Sequence, residues 1–179
     1  MTRARSRSAT GATPGASERT DNAEPNLGLV RLVIACFSGP NLNLLGRREP
    51  DVYGSESLDE IHARLALRGA ALGVEVDARQ TNHEGVLCDW IGVLPNHADG
   101  LLLNAGAYTH TSIAILDALR ATRIPCVEVH LSNPEAREPF RRRSRVAAAC
   151  VAKVSGFGGD SYILALEGLV ARLRRNPAS

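Results

Sequence analysis

The segment VRLVIACF, Val30–Phe37, is a short apolar run that predicts a buried β-strand. The segment Ser57–Leu72 predicts a helix, because Ser57 and Glu60 form an S-x-x-E capping box and the apolar residues after it have helical spacing. Further strands are predicted at Val74–Arg79, Gly100–Asn104, Pro125–Leu131 and Ala147–Val154, and further helices at Gly85–Leu94, Thr111–Thr122, Ala136–Phe140 and Ser161–Arg174. Strands and helices therefore alternate along the chain.

This alternation is typical of an α/β fold in which right-handed crossovers join parallel strands. Five strands fit a flavodoxin-like order, so the sequence predicts a five-stranded parallel sheet with helices on both faces. Residues 1–28 are rich in Ser, Thr, Ala, Gly and Arg and almost free of large apolar side chains, which predicts a disordered N-terminal extension. Residues 29–179 are predicted to form a single flavodoxin-like domain.

The composition excludes several classes of protein. The chain has 179 residues, of which 44% are hydrophobic and 22% charged, so it is not a disordered protein. No stretch approaches the roughly 18 uninterrupted apolar residues of a membrane helix, so we expect no contact with a membrane. The net charge of +2 gives no field that would favour nucleic acid, and the basic run Arg141–Arg145 is short and lacks aromatic partners.

The cysteines, the lysine and three further histidines limit the kinds of reaction and metal site that the chain can support. The four cysteines are far apart and mostly in apolar runs, which predicts buried thiols in a reducing compartment, the cytoplasm. No C-x-x-C or H-E-x-x-H motif occurs, so no metal site is expected. The single lysine, Lys153, lies in an apolar, strand-like run and is a poor candidate for Schiff-base chemistry. His62 and His97 are predicted to be surface residues, whereas His83 is either a turn residue or near the site.

Polar residues cluster after four of the predicted strands, at Asn41–Gly54, Gln80–Glu84, Asn104–Ser112 and His130–Arg141. In open parallel sheets, ligands bind at the carboxyl ends of the strands, near the point where the strand order reverses. Four such ends followed by polar clusters therefore predict a ligand site at that edge of the sheet.

Three of these clusters contain candidate catalytic groups. Tyr53 and Arg48 share a long loop, and a cation near a phenol favours the ionised form that can act as a base. Glu128 and His130 are two residues apart on a strand, so both point to one face, where a carboxylate can orient an imidazole and favour its protonated form. His110 precedes a predicted helix, whose N-terminus favours an anion.

Six segments taken in order resemble the type II 3-dehydroquinate dehydratases. They are GPNLNLLGRREPDVYG from Gly39, QTNHEG from Gln80, NAGAYTHTS from Asn104, VEVHLSN from Val127, AREPFRRRS from Ala136 and GFGGDSYILAL from Gly156. The resemblance covers about Leu32 to Leu166, roughly three-quarters of the chain. The resemblance implies an anti elimination of water from 3-dehydroquinate through an enolate to give 3-dehydroshikimate, with no metal and no cofactor.

The resemblance also implies a role for individual residues. Tyr53 matches the base, Arg48 the residue that activates it, and His130 the acid that protonates the leaving hydroxyl. Glu128 matches the partner that orients this acid, and Asn41 matches the residue that holds a water near the enolate oxygen. Asn104, His110, Leu131, Ser132 and Arg141 match substrate-binding positions, Asp117 matches a residue that reaches a neighbouring subunit, and Arg137 matches a partner of the lid.

Members of this family form dodecamers built from four trimers, so the resemblance implies such an assembly here. The chain departs from the family pattern at Ala105, Leu116, Pro134, Glu135, Pro139 and Arg143. None of these positions matches a proposed catalytic residue, so the departures concern substrate affinity and assembly.

Other functions remain open to the sequence. A flavodoxin-like binding module without catalysis would keep the core, but it would not need Tyr53, Arg48 and His130 together. The same reaction could serve quinate catabolism rather than the shikimate pathway of aromatic amino acid biosynthesis. A nucleotide or flavin site is disfavoured, since no G-x-G-x-x-G follows the first strand and aromatic residues are 4% of the chain.

Overall fold

A computed structural model describes residues 31–46 and 56–175 of the chain. These residues all belong to one unit, Arg31–Ser179. The predicted extension, residues 1–28, lies outside the described residues, so the division into an extension and a single domain stays a prediction. No helix of the described part is long and apolar enough to cross a membrane.

The described strands form one sheet of five parallel strands. They are β1 (Val33–Ser38), β2 (Glu75–Gln80), β3 (Gly100–Asn104), β4 (Cys126–His130) and β5 (Ala152–Ser155), in the spatial order β2-β1-β3-β4-β5. The chain reverses its direction of travel across the sheet after β2, so the carboxyl ends of β1 and β3 flank the switch point. The predicted flavodoxin-like α/β fold is confirmed.

In the described part of the chain, five α-helices accompany the sheet: α1 (Leu58–Ala71), α2 (Glu84–Val93), α3 (Tyr108–Thr111), α4 (Ile113–Thr122) and α5 (Asp160–Arg175). Successive residues of a strand point to opposite faces. In β1, Ile34 and Cys36 join the core cluster that contains residues of α1 and α5, while Ala35 and Phe37 join the cluster that contains residues of α2 and α4. The sheet is therefore buried on both faces, which is why its strands are continuous apolar runs.

One predicted helix is wrong, and one predicted strand begins later than expected. The helix predicted at Ala136–Phe140 is replaced by two 3₁₀ turns, Pro134–Ala136 and Pro139–Arg141. The residue before a proline avoids the helical conformation, and Glu138 accordingly adopts φ −59° and ψ 146°. The strand predicted at Ala147–Val154 begins only at Ala152, because Val146–Ala149 forms a 3₁₀ turn whose first residue is completely buried in the α2–α4 core.

Two side chains also differ from their predicted environments. Lys153 lies in the strand-like run as predicted, but its side chain is exposed. Its ammonium group forms an ion pair with Glu135. His62, predicted to be a surface residue, is half-buried, and its ring packs edge-on against the ring of Tyr162 with 6.5 Å between centroids. His97 is exposed as predicted, and His83 is an exposed residue at the start of α2.

The carboxyl ends of β1 and β3 approach each other closely at Gly39. Its N–H donates a 2.8 Å hydrogen bond to the carbonyl of Asn104. A Cβ atom at Gly39 would lie 2.6 Å from the carbonyl oxygen of Ala105, which is a backbone atom and cannot rotate away. Glycine at this position therefore allows the two strand ends to meet.

We expect Gly39→Ala to lower the free energy of unfolding by about 2 kcal/mol, because the added methyl overpacks a contact between two backbones. Chemical denaturation of the two proteins measures the change. Gly92→Ala is the matched control: its Cβ would meet nothing within 4 Å in the exposed last turn of α2. Alanine there should leave stability unchanged or raise it by up to about 1 kcal/mol. Equal effects at both positions would contradict the close-approach argument.

Candidate active site

A pocket of about 150 Å³ opens at the carboxyl edge of the sheet, where the segments after β1, β3 and β4 meet. Its lining residues are Pro40, Asn41, Leu42, Leu44, Leu45, Asn104, Gly106, Ala107, His110, His130, Leu131, Ser132, Pro134, Arg137 and Arg141. Eight of the residues singled out from the sequence are among them, namely Asn41, Asn104, His110, His130, Leu131, Ser132, Arg137 and Arg141. These eight residues therefore line one pocket at the predicted edge of the sheet, while their roles stay predictions.

Two further predicted residues, Glu128 and Asp117, do not line this pocket. Glu128 lies beneath it, fully buried in β4. Asp117 is exposed on α4. Arg48 and Tyr53 lie outside the described residues, so the structure gives no position for either side chain.

His130 and Glu128 form the best-defined polar pair of the site. They are neighbours on one face of β4, and the His130 Nε2 atom lies 2.6 Å from Glu128 Oε1. The histidine is 8% exposed at the pocket and the glutamate is completely buried. This pairing leaves Nδ1 of His130 as the ring nitrogen that can serve a ligand.

The other carboxylate oxygen of Glu128 also has a partner. The hydroxyl of Ser144 donates to Glu128 Oε2 over 2.9 Å, and the same hydroxyl accepts the N–H of Ala147 over 3.0 Å. Both oxygens of the buried carboxylate are thus hydrogen-bonded, as burial of a charge requires.

The segment Arg143–Arg145, which contains Ser144, holds His110 in place. Its Nδ1 atom lies 2.9 Å from the carbonyl of Arg143, so Nδ1 must carry the proton in this bond and Nε2 faces away from it. The Arg145 Nε atom donates to the carbonyl of His110 over 3.1 Å, and the Arg145 N–H donates to the carbonyl of Thr109 over 2.9 Å. Three hydrogen bonds therefore join α3 to this segment.

Asn41 has a left-handed backbone, with φ 65° and ψ 0°. Residues after β2 stabilise this conformation: Asn82 Oδ1 accepts the N–H of Asn41 and the side-chain amide of Gln80, each over 2.9 Å. The hydroxyl of Tyr108 donates to the carbonyl of Asn82 over 2.9 Å. The cluster after β2 thus supports the site without lining the pocket.

Two arginines at the pocket share one carboxylate. Arg141 Nε donates to Glu138 Oε2 over 3.0 Å, and Arg137 Nε lies 3.5 Å from the same oxygen. The backbone N–H of Glu138 and these two guanidinium groups hold the pKa of its carboxyl below the usual range. The exposed carboxylate of Glu138 therefore balances part of the positive charge of Arg137 and Arg141.

Asn104 connects the pocket to a buried polar network. Its Oδ1 atom accepts the N–H of Gly106 over 3.2 Å, and its side chain lies close to the hydroxyl of Tyr162. Ser38 Oγ lies 3.1 Å from that hydroxyl and 3.4 Å from Nε2 of His62. Burial raises the pKa of the Tyr162 phenol and lowers the pKa of His62, so both groups are held in their neutral forms.

The sequence did not single out Asn82, Ser144 or Tyr162. Asn82 lies in one of the polar clusters after the strands, so a signal for it existed. Ser144 follows a run of three arginines and Tyr162 lies in an apolar helix, and neither context indicates a buried hydrogen bond. Within residues 31–46 and 56–175, no three His, Cys, Asp or Glu side chains form a group that could hold a metal ion.

The fold and pocket are those of a flavodoxin-like α/β protein with a polar site at its switch point. The family model for class II dehydroquinases matches residues 32–170. A 3-dehydroquinate dehydratase of Rhizobium johnstonii is 52% identical over 136 residues, which are 76% of this chain and 94% of that protein. A 3-dehydroquinate dehydratase of a Nostoc strain is 52% identical over 143 residues, which are 80% of this chain and 97% of that protein.

A solved structure agrees with these sequence matches. The type II dehydroquinase of Butyrivibrio crossotus superposes with a TM-score of 0.76 at 38% identity, covering 78% of this chain and 97% of that one. The chain belongs to the class II dehydroquinase family and is an enzyme, a hydro-lyase. This membership favours the catalytic interpretation over the binding module without catalysis.

The buried network predicts a dependence of stability on pH. Because burial lowers the folded-state pKa of His62 below 6.5, the unfolded chain binds more protons as the solution is acidified. The stability that neutral His62 contributes is fully present above pH 6.5 and is lost as the pH falls below that value towards the folded-state pKa. We therefore expect the free energy of unfolding to decrease from about pH 7.5 to about pH 5.5.

Denaturant titrations across that range measure the effect. His62→Gln should weaken the decrease, whereas the matched variant of exposed His97, His97→Gln, should leave it unchanged. A decrease of the same size in both variants would assign the effect to other groups.

Proposed function

We propose that this enzyme removes water from 3-dehydroquinate by an anti elimination through an enolate, giving 3-dehydroshikimate. The observation that supports this most directly is the His130–Glu128 pair at the base of a pocket that is lined by amide, hydroxyl and guanidinium groups. A small anion with several hydroxyl groups needs such a lining rather than an apolar one. The names of the curated relatives support the same substrate.

The leaving hydroxyl needs a proton, and His130 is our candidate for its donor. Glu128 stabilises the imidazolium form through Nε2, which leaves Nδ1 to deliver the proton towards the pocket. Burial of the carboxylate strengthens this interaction, since no water screens it.

The substrate carboxylate would bind at the segment after β4. We assign it to the backbone of Leu131 and Ser132 and to the hydroxyl of Ser132. Arg141, Asn104 and His110 would bind the ring hydroxyls from the opposite walls. All five residues line the pocket, so one small molecule can reach each of them.

The carbon acid must lose a proton to a base, and Tyr53 is the residue proposed for this step. Arg48 would favour the phenolate and stabilise the transition state, and Asn41 would hold a water that donates to the enolate oxygen. The left-handed turn at Asn41 gives this residue a fixed backbone at the pocket wall. No metal or cofactor takes part in the proposed reaction.

The assay mixes the purified protein with 3-dehydroquinate and follows the ultraviolet absorbance of the conjugated product. We expect a rise in absorbance that a chelator does not affect. His130→Ala should lower kcat by at least about a hundredfold, the loss expected for a general acid. Tyr53→Phe should lower kcat by at least about a thousandfold, because the base and its electrostatic effect on the transition state are lost together. A folded protein that gives no product would overturn the proposed reaction.

We place the reaction in the shikimate pathway of aromatic amino acid biosynthesis and in the cytoplasm. Quinate catabolism would use the same chemistry, and growth of a deletion strain without aromatic amino acids distinguishes the two. Failure to grow supports the biosynthetic role, whereas loss of growth on quinate alone supports the catabolic one.

We propose that the enzyme is a dodecamer of four trimers in which Asp117 reaches the site of a neighbouring subunit. Its exposed carboxylate on α4 is free of the local pocket and is available to such a partner. Light scattering should give a mass close to twelve times the chain mass of 19.1 kDa. Asp117→Ala should raise KM or lower kcat in the intact assembly, and a fully active monomer would contradict the proposal.

A further inference from the structure

We propose that Ser144 is a positioning residue for the elimination, and that it acts on His130 through the carboxylate of Glu128. This inference rests on the proposed function of His130 as the proton donor. It adds a residue that lies 16 positions from Glu128 in the chain and does not line the pocket.

The direction of the Ser144 hydroxyl proton follows from its two partners. The N–H of Ala147 is a donor, so it occupies a lone pair of Ser144 Oγ over 3.0 Å. The single hydroxyl proton is then directed to Glu128 Oε2, 2.9 Å away. Ser144 thus donates to Glu128.

This bond determines which atom of Glu128 faces His130. With Oε2 occupied by Ser144, the carboxylate presents Oε1 to Nε2 of the imidazole over 2.6 Å. The ring is then oriented with Nδ1 available to the substrate. Without the hydroxyl, Oε2 would be buried with no partner, and the carboxylate would be free to rotate away from His130.

Ser144 is itself held in place from both sides. The carbonyl of Arg143 accepts from His110 Nδ1 over 2.9 Å, and the N–H of Arg145 donates to the carbonyl of Thr109 over 2.9 Å. The hydroxyl therefore projects from a segment that is fixed to α3, which makes it a rigid support rather than a mobile surface group. One segment orients two histidines of the pocket, His110 directly and His130 through Glu128.

The test compares Ser144→Ala with Ser112→Ala in the full chain. Both serines accept the N–H of the residue three positions later, Ala147 and Ile115 respectively, so both variants lose that bond. Only Ser144 also donates to Glu128. We expect Ser144→Ala to lower kcat by about tenfold with KM changed less than about twofold, the size expected for one hydrogen bond to a charged group. Ser112→Ala should keep kcat within about twofold.

A double-mutant cycle shows whether the hydroxyl acts through the carboxylate. Glu128→Gln removes the charge, so adding Ser144→Ala to it should lower kcat by less than about twofold more. Ser144→Thr keeps a hydroxyl donor and should keep most of the wild-type kcat, which gives a second readout if the alanine variant folds poorly.

Three results would overturn the inference: an unchanged kcat in folded Ser144→Ala, a full additional loss in the Glu128→Gln background, or a Ser144→Thr protein that is stable and as slow as Ser144→Ala. An inactive wild-type protein would instead overturn the proposed reaction and this inference with it. An active wild type with an active Ser144→Ala variant overturns only the role of Ser144.

Discussion

The complete burial of the Glu128 carboxylate constrains the rest of the site. A buried charge is tolerated only when its oxygens are hydrogen-bonded, and here His130 supplies one partner and Ser144 the other. Ser144 follows the second proline turn, whose last residue, Arg141, lines the pocket. The carbonyl of Arg143, next to Ser144, binds His110. Satisfying one carboxylate therefore determines the positions of several pocket groups.

The close approach of β1 and β3 determines the opposite wall. Gly39 lets the two strand ends meet, and this contact holds Asn104 between the pocket and the buried network of Tyr162, Ser38 and His62. One side of the Asn104 amide is thus available to a ligand, while the other side contacts groups that burial keeps neutral. An amide supported in this way retains its orientation when the pocket is empty, which lowers the entropic cost of binding.

The sequence predicted the sheet, its helices and the edge that carries the site, because apolar periodicity and strand-end polarity are local signals. It failed at Ala136–Phe140, where prolines outweighed the helical pattern, and at Ala147–Val154, where the strand begins only at Ala152 because buried Val146 starts a 3₁₀ turn. Contacts such as that of Ser38 with Tyr162, 124 residues apart, depend on packing and leave no pattern in the chain. The resemblance named Arg48 and Tyr53, which lie outside the described residues, so their roles stay predictions.

The arginines of the pocket show how the site can be cationic and still stable without a ligand. Arg141 and Arg137 both contact Glu138, whose side chain is 50% exposed. Exposed ion pairs contribute little free energy, so an anionic substrate can replace Glu138 at a guanidinium group at small cost. The buried pair of His130 and Glu128 behaves in the opposite way, since breaking it would leave a charge without a partner. The pocket thus combines an exchangeable ion pair at its arginines with a fixed pair at His130 and Glu128.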